Sequence, residues 1–437
     1  MKTFLVTTLV WLLAINQLSA QSYGNYDKVP FAFGIFPPLS TNGTNAGNCI
    51  NQVSLNLISG YSAGLSGIEF AGFSNTERDF VRGAQFAGFG NFVNGDFTGF
   101  QFAGFSNFNR AVSRGFQFAG FANFNYSEAH GVLASGFANF TNGKSMAIQL
   151  AGFANFCEDV DGMQASGFAN VVKGNGRAVQ LAGFANITMG EVHGVQAAGF
   201  LNISKNKMEK VQAAGFMNAA AGDVEGLQLA GFGNFSRGHV DGAQISGFIN
   251  VAKQLDGFQL GFINITDSLE NGVPVGFLSF VRKNGFREFE FSASEAFNAQ
   301  LAFKTGVKQF YNIFAIGSQF VGNDFAWGLG YGLGTHLIAT DKFRTQLELM
   351  SFHVNENDNW TSTYNSLQQI KLNFSKAINE NLSLFAGPTV NLMLSDNTRK
   401  DGQAFESHFA PYHLFSHKGD KHSLKGWIGL NIGLRIS

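Results

Sequence analysis

The stretch Gly226-Leu227-Gln228-Leu229-Ala230-Gly231-Phe232-Gly233-Asn234-Phe235 decides how the chain is read, because it recurs. A Gly-Phe pair returns with Gly at 72, 88, 104, 120, 136, 152, 167, 183, 199, 215, 231, 247, 261 and 276. The step is 16 residues, except for 15 into Gly167 and Gly276 and 14 into Gly261. The Phe stands in all fourteen copies, among them Phe89, Phe121, Phe153, Phe184, Phe200 and Phe232. An Asn follows in thirteen, including Asn91, Asn123, Asn155, Asn186, Asn202 and Asn234, with Ser279 in the last. Gln precedes the pair in most copies, as at Gln85, Gln117, Gln149, Gln180, Gln196 and Gln228, while Glu69 and Leu133 replace it twice.

A unit this short cannot bury a core alone, so successive units must stack. The apolar positions alternate with period two. Val195, Ala197, Gly199, Leu201 and Ile203 share one parity, and Gln196, Ala198, Phe200 and Asn202 the other. That pattern is a strand, not a helix.

Two all-β architectures use it. In a β-solenoid each repeat is one coil, Phe stacks on Phe, and Asn and Gln form amide ladders. In the alternative each repeat is one strand of a large antiparallel barrel. An even repeat with two-residue turns would flip the repeated face at every strand of such a meander. A solenoid needs no repair of this kind and is favoured. One signal points the other way: Asn284-Gly285, between 274–282 and 286–295, is a strong hairpin sequence. It predicts antiparallel pairing of the last repeat with the segment that follows.

Beyond residue 285 the repeat ends and the strands lengthen. Eight are expected, at 286–296, 299–305, 309–320, 325–339, 343–354, 366–377, 382–395 and 426–436. Alternation is clear where Phe325, Trp327, Leu329, Tyr331 and Leu333 interleave with Ala326, Gly328, Gly330, Gly332 and Gly334. Segments of about ten residues with one apolar and one small or polar face are the signature of a transmembrane barrel. Short connections at 306–307, 340–342 and 379–381 alternate with longer ones at 321–324, 355–365 and 396–425. That is the expected contrast between periplasmic turns and external loops. With eight strands and a periplasmic C-terminus, the repeat array falls on the periplasmic side unless the chain threads the pore.

Upstream, residues 1–20 read as a secretion signal: Lys2, an apolar run from Phe4 to Ile15, and a small-residue end at Ser19-Ala20. The chain thus divides into a signal at 1–20, a lead segment at 21–52, the repeat array at 53–285 and a barrel-like domain at 286–437. No apolar run is long enough for a membrane-crossing helix.

The run Val53-Ser-Leu-Asn-Leu-Ile-Ser-Gly-Tyr-Ser-Ala-Gly-Leu-Ser-Gly67 opens the repeats, and Gly272-Val-Pro-Val-Gly-Phe-Leu-Ser-Phe280 closes them. Trp327-Gly-Leu-Gly-Tyr-Gly-Leu-Gly-Thr335 and Phe385-Ala-Gly-Pro-Thr389 follow. Across nearly all of the mature chain this resembles the surface-repeat-containing outer-membrane proteins of leptospires and Bacteroidota, which carry Val-Gln-Leu-Ala-Gly-Leu-x-Asn units. Phe stands here where that group more often has Leu, and the chain ends in Ile436-Ser437 rather than an aromatic residue. The resemblance implies an outer-membrane or cell-surface place in a Gram-negative bacterium, with no established activity and no functional residue to carry over.

Composition sets limits on function. Gly 54, Phe 50 and 14% charged residues suit close-packed or lipid-facing strands. A net charge of −1 offers nucleic acid no electrostatic footing. Cys49 and Cys157 lie in no spaced cluster and read as buried thiols. His408, His413, His417 and His422 share one loop, but their spacing fits no zinc signature, so a solvated loop is expected over a metal site. Glu158, Asp159, Asp161, Asp223 and Asp241 fall in repeat turns without a calcium-loop pattern. No nucleophile elbow or phosphate loop occurs, and neither an enzyme nor a cofactor is expected. Three functions remain: a structural or partner-binding scaffold, a pore whose Gln and Asn face lines water, or a soluble exported β-protein. The scaffold is preferred. Its partners would be outer-membrane lipid and a protein or glycan on the repeat face.

Overall fold

The computed structural model describes residues 26–321, 324–340, 342–357, 360–399 and 403–437. The secretion signal expected at 1–20 lies outside the described residues. Two compact units divide the chain, Met1–Asn206 and Lys207–Ser437. Along the sequence, about 15 turns of β-solenoid are followed by a closed antiparallel barrel of 8 strands.

In the first unit several coils contribute a strand carrying the Gln and a shorter strand carrying the Asn, whereas in Ser74–Ala87, Ala138–Ala151 and Ala154–Ser166 one strand carries both. Ser113–Ala119 pairs in parallel with Ala129–Ser135, and Asn123 and Phe124 lie beside Asn139 and Phe140. Equivalent repeat positions therefore meet side by side, which is the solenoid arrangement and excludes the large meander. The shortened coil is accommodated at a bulge within the paired strands Ala138–Ala151 and Ala154–Ser166. A register shift between Thr141 and Lys144 absorbs the missing residue, so Gln149 still faces Gln164 and Asn139 still faces Asn155. The ladder also starts before residue 53, because Asp27–Phe36 pairs in parallel with Cys49–Asn56.

Glycine at the corner follows from backbone proximity. A Cβ on Gly120 would lie 2.1 Å from the carbonyl oxygen of Gly104, so no side chain fits. At Gly99 a φ of 136° adds a backbone conformation that other residues rarely adopt.

The second unit holds further coils, ending in Leu278–Lys283, and then the barrel. Its strands are Phe286–Ser294, Ala299–Val307, Phe310–Val321, Asp324–Ala339, Phe343–Glu356, Asn365–Ala377, Leu382–Asp396 and His422–Ile436. Each pairs antiparallel with its neighbour. The first closes on the eighth, with Phe289 beside Ile436 and Phe291 beside Leu434.

The hairpin expected at Asn284-Gly285 does not form. Leu278–Lys283 pairs in parallel with the preceding coil strand Ile263–Leu269. Phe286–Ser294 has both edges taken, by Ala299–Val307 and His422–Ile436. Asn284 does adopt the left-handed conformation, at φ 62°, and its Nδ2 donates to Leu269 O. The local turn is thus real, but barrel closure supplies a different partner.

Candidate functional site

The Asn and Gln side chains face the coil interior and are fully buried, Asn123 and Gln149 at 0% exposure. Each Asn donates twice. Asn91 Nδ2 reaches Asn107 Oδ1 at 2.9 Å and the backbone oxygen of Phe102 at 3.0 Å. The same pair of bonds recurs at Asn139, to Asn155 and Leu150, and in the second unit at Asn234, to Asn250 and Ile245. The Gln amides donate towards the preceding coil, Gln101 to Gln85 at 3.0 Å and Gln244 to Gln228 at 2.8 Å. Where Leu133 interrupts the Gln row, Gln117 turns to Asn125, donating to its Oδ1 and accepting from its Nδ2 at 3.1 Å each. These ladders satisfy buried amides that would otherwise be expensive. They are structural, and no water-lined face is made from them.

Glu69 ends the Gln row. It accepts from Gln85 Nε2 at 3.1 Å and from Asn56 Nδ2 at 3.0 Å, so an acceptor-only group suits this end of the row. Glu77 lies in the same interior and accepts from Ser62 Oγ at 2.5 Å, while its Oε1 is buried without a hydrogen-bond partner. Burial, and then the charge of Glu69, push the Glu77 carboxyl well above the usual carboxylate range. Burial also raises Glu69, against hydrogen bonds from its neighbours.

Both thiols are free and buried. Burial pushes the Cys157 thiol up to about 12. Of the acidic residues expected in turns, Glu158, Asp159, Asp161 and Asp241 lie in strands, and two bond the next coil: Asp159 Oδ1 accepts from Asn175 N at 2.6 Å and Asp223 Oδ1 from His239 N at 2.7 Å.

The repeat Phe takes the opposite, outward role. In the first unit Phe121, Phe137 and Phe153 stack with centroids 5.0 and 4.9 Å apart and planes within 1°. In the second, Phe216, Phe232 and Phe248 stack at 4.9 and 5.3 Å. Each row remains substantially exposed, Phe153 at 40% and Phe232 at 37%. Apolar residues flank this corner on both strands, such as Phe102 and Leu150 beside the Gln row and the stacked Phe108 and Phe124 beside the Asn row. Charged residues gather on the far edge of the coil, where Lys207 pairs with Glu225 at 2.7 Å.

In the barrel the usual distribution of polarity is reversed. Lys304 lies between Glu290 at 2.6 Å and Glu348 at 2.5 Å, all three essentially unexposed. Arg435 joins Glu290 at 2.8 Å, and Tyr311 Oη donates to Glu348 at 2.9 Å. Arg344 meets Glu288 at 3.2 Å. Aromatic residues fill more of the interior, with Phe297, Phe352, Phe409 and Trp427 all buried. At the seam the Glu295 carboxylate accepts from Leu430 N at 2.9 Å and Asn391 Nδ2 at 2.8 Å. The outer wall carries Phe289, Phe291, Ile428, Leu430 and Ile432, each more than half exposed.

Sequence reasoning missed this interior cluster. The signal was present: Glu288, Glu290, Lys304, Glu348, Lys371 and Arg435 all occupy the polar parity of otherwise apolar strands.

The four loop histidines are not drawn together. His422 Nδ1 lies 2.7 Å from Asp396, His408 N donates to Glu356, and His417 lies on the exposed strand Phe415–Lys418. Among the described residues the group with metal-ligand proximity is instead His239, Asp256 and Glu270, whose ligand atoms lie within 4.8 Å of one another on the polar coil edge. Their wide separation in sequence hid them. The barrel, with no apolar membrane-length helix among the described residues, is compatible with an outer-membrane or exported protein. Comparison with known proteins finds no matching family model, curated protein or solved structure.

Proposed function

We propose that this chain is a non-enzymatic outer-membrane protein in which the barrel is the anchor and the solenoid is a structural or partner-binding scaffold. The observation that carries this reading is the reversed polarity of the barrel. A soluble barrel hides its aliphatic side chains and exposes its ions. Here Leu430 is 60% exposed while Lys304 and Arg435 are at 0%. Exposed apolar bands of this kind are stable against hydrocarbon and aggregate in water.

The interior favours an anchor over a pore. An eight-stranded barrel is just wide enough to be filled by side chains, and Lys304, Arg435, Tyr311, Phe352 and Trp427 fill this one. A scaffold also suits rows of sealed amides, which make stacked coils stiff and leave the coil surface for contacts.

Membrane fractionation followed by gel migration before and after heating tests the reading. The mature protein is expected in the outer-membrane fraction, running faster unheated than heated. Recovery in the soluble fraction without detergent would overturn it.

A further inference from the structure

The last coil ends against the outside of the barrel, not in solvent. Ser279 N donates to Asn312 Oδ1 at 2.9 Å, Thr305 Oγ1 donates to Ser279 O at 3.0 Å, and Asn312 Nδ2 donates to Gly276 O at 2.6 Å. Thr305 and Asn312 share their strand faces with Phe303 and Phe314 and so project outward from the wall. Coils stack along their backbone hydrogen bonds. The barrel wall therefore occupies the place of the next coil, and the coil axis in this unit points at the wall.

Depth along the wall follows from register. Thr305 lies beside Asn312, next to the turn at 308–309, and Phe303 lies beside Phe314 two residues further from that end. Phe314 in turn lies beside Tyr331. The corner residue Phe277 stacks on Tyr331 at 4.6 Å and meets Phe314 edge-on at 5.7 Å. Tyr331 Oη donates back to Phe277 O at 3.2 Å. The Phe corner is thus set towards the middle of the wall. The polar edge lies at the rim, where Lys283 leads within three residues to Phe286 beside Gly306.

From this continuity we infer that the Phe ridge of the coils is a membrane-embedding edge. Its occupant is the acyl-chain layer of the same bilayer that surrounds the barrel. The coils lie along the membrane with Phe216, Phe232, Phe248 and Phe262 among the lipid chains, and with Lys207, Glu225, Arg237 and Arg282 in water. Amphipathic elements at an interface insert their apolar face by about 5–10 Å, and a single ridge flanked by apolar strands suits that depth. The first unit carries a ridge of the same composition. This inference rests on the membrane reading of the barrel.

Fluorescent labelling in vesicles separates the two claims. Phe232→Cys on the ridge, Arg237→Cys on the polar edge and Ile432→Cys on the barrel wall are each labelled with bimane in the full chain. The proteins are refolded into phosphatidylcholine vesicles, and the unsubstituted protein, with its buried Cys49 and Cys157, is the blank. Phe121→Cys is measured in parallel for the first unit. Brominated acyl chains are expected to quench positions 232 and 432 several-fold more than position 237, and aqueous iodide to do the reverse. Iodide quenching at 232 with lipid quenching at 432 overturns the ridge and leaves the barrel reading intact. Iodide quenching at both 232 and 432 overturns both. A label at 232 silent to both quenchers places protein, such as a second copy of the chain, on the ridge and also overturns the proposal.

Discussion

Asn155 Nδ2 donates to Asn170 Oδ1 at 2.9 Å, although these residues are 15 apart rather than 16. The amide row keeps its geometry because the lost residue comes out of a bulge between the Asn and Gln positions. Register is therefore set by the amide rows, and the backbone between them adapts to it.

Asn139→Asp should be among the most damaging single-atom changes to the array. Asn139 Nδ2 donates to Asn155 and to Leu150 O, and a carboxylate can do neither. Leaving a buried group unpaired costs about 1–3 kcal/mol, and more when it is charged. Denaturant midpoints should fall, with a smaller loss at acid pH, where a protonated carboxyl regains one donor.

The Glu69–Glu77 pair makes the N-terminal coils sensitive to pH. Both carboxyls are raised from 4.5, so folding takes up protons there. The stabilisation is greatest below about 4.5 and is lost as pH rises through the folded values. Hydrogen exchange in these coils should accelerate between acid and neutral pH beyond its intrinsic dependence. Glu77→Gln should flatten that excess, and an unchanged profile would refute the assignment.

Lys304→Met should prevent stable closure of the barrel. It removes the buried ammonium between Glu290 and Glu348 and leaves Arg435 as the cation they still share, a loss of about 3–5 kcal/mol for a broken buried pair. The fraction showing heat-modifiable migration should drop, and Lys304→Met with Glu348→Gln should recover part of it.

Cys157 should resist maleimide in the folded protein at mildly alkaline pH, because its thiol is held near about 12 and only the thiolate reacts. Denaturation should expose it. Rapid labelling of the native chain would contradict the buried placement.

Deleting 152–182 removes two coils and joins Ala151 to Gly183, which restores the Ala-Gly-Phe corner. The array should fold and shorten by roughly 10 Å, at about 4.8 Å for each coil. Scattering would measure the change, and loss of β-signal would argue against independent stacking.

Much of this was legible in the chain itself. The recurrence of Gly120-Phe121 and its equivalents required stacked units, and strand alternation located the eight barrel strands to within a few residues. Asn284-Gly285 was misleading because a turn sequence reports local backbone, whereas the partner of Phe286–Ser294 is chosen by closure with His422–Ile436. The coil strand Asp27–Phe36 was invisible because it lacks the Gly-Phe corner. Ser279 was a quiet clue. Asn is absent from the copy whose neighbour is the barrel wall, where Asn312 supplies an amide from outside the array.

The two amide rows also run against each other. Asn91 donates forward to Asn107 while Gln101 donates backward to Gln85, and in the second unit Asn234 and Gln244 repeat the opposition. The side-chain dipoles of each coil largely cancel. No field accumulates along the rows as coils are added, so gain or loss of whole coils in evolution can change the reach of the array without polarising its ends.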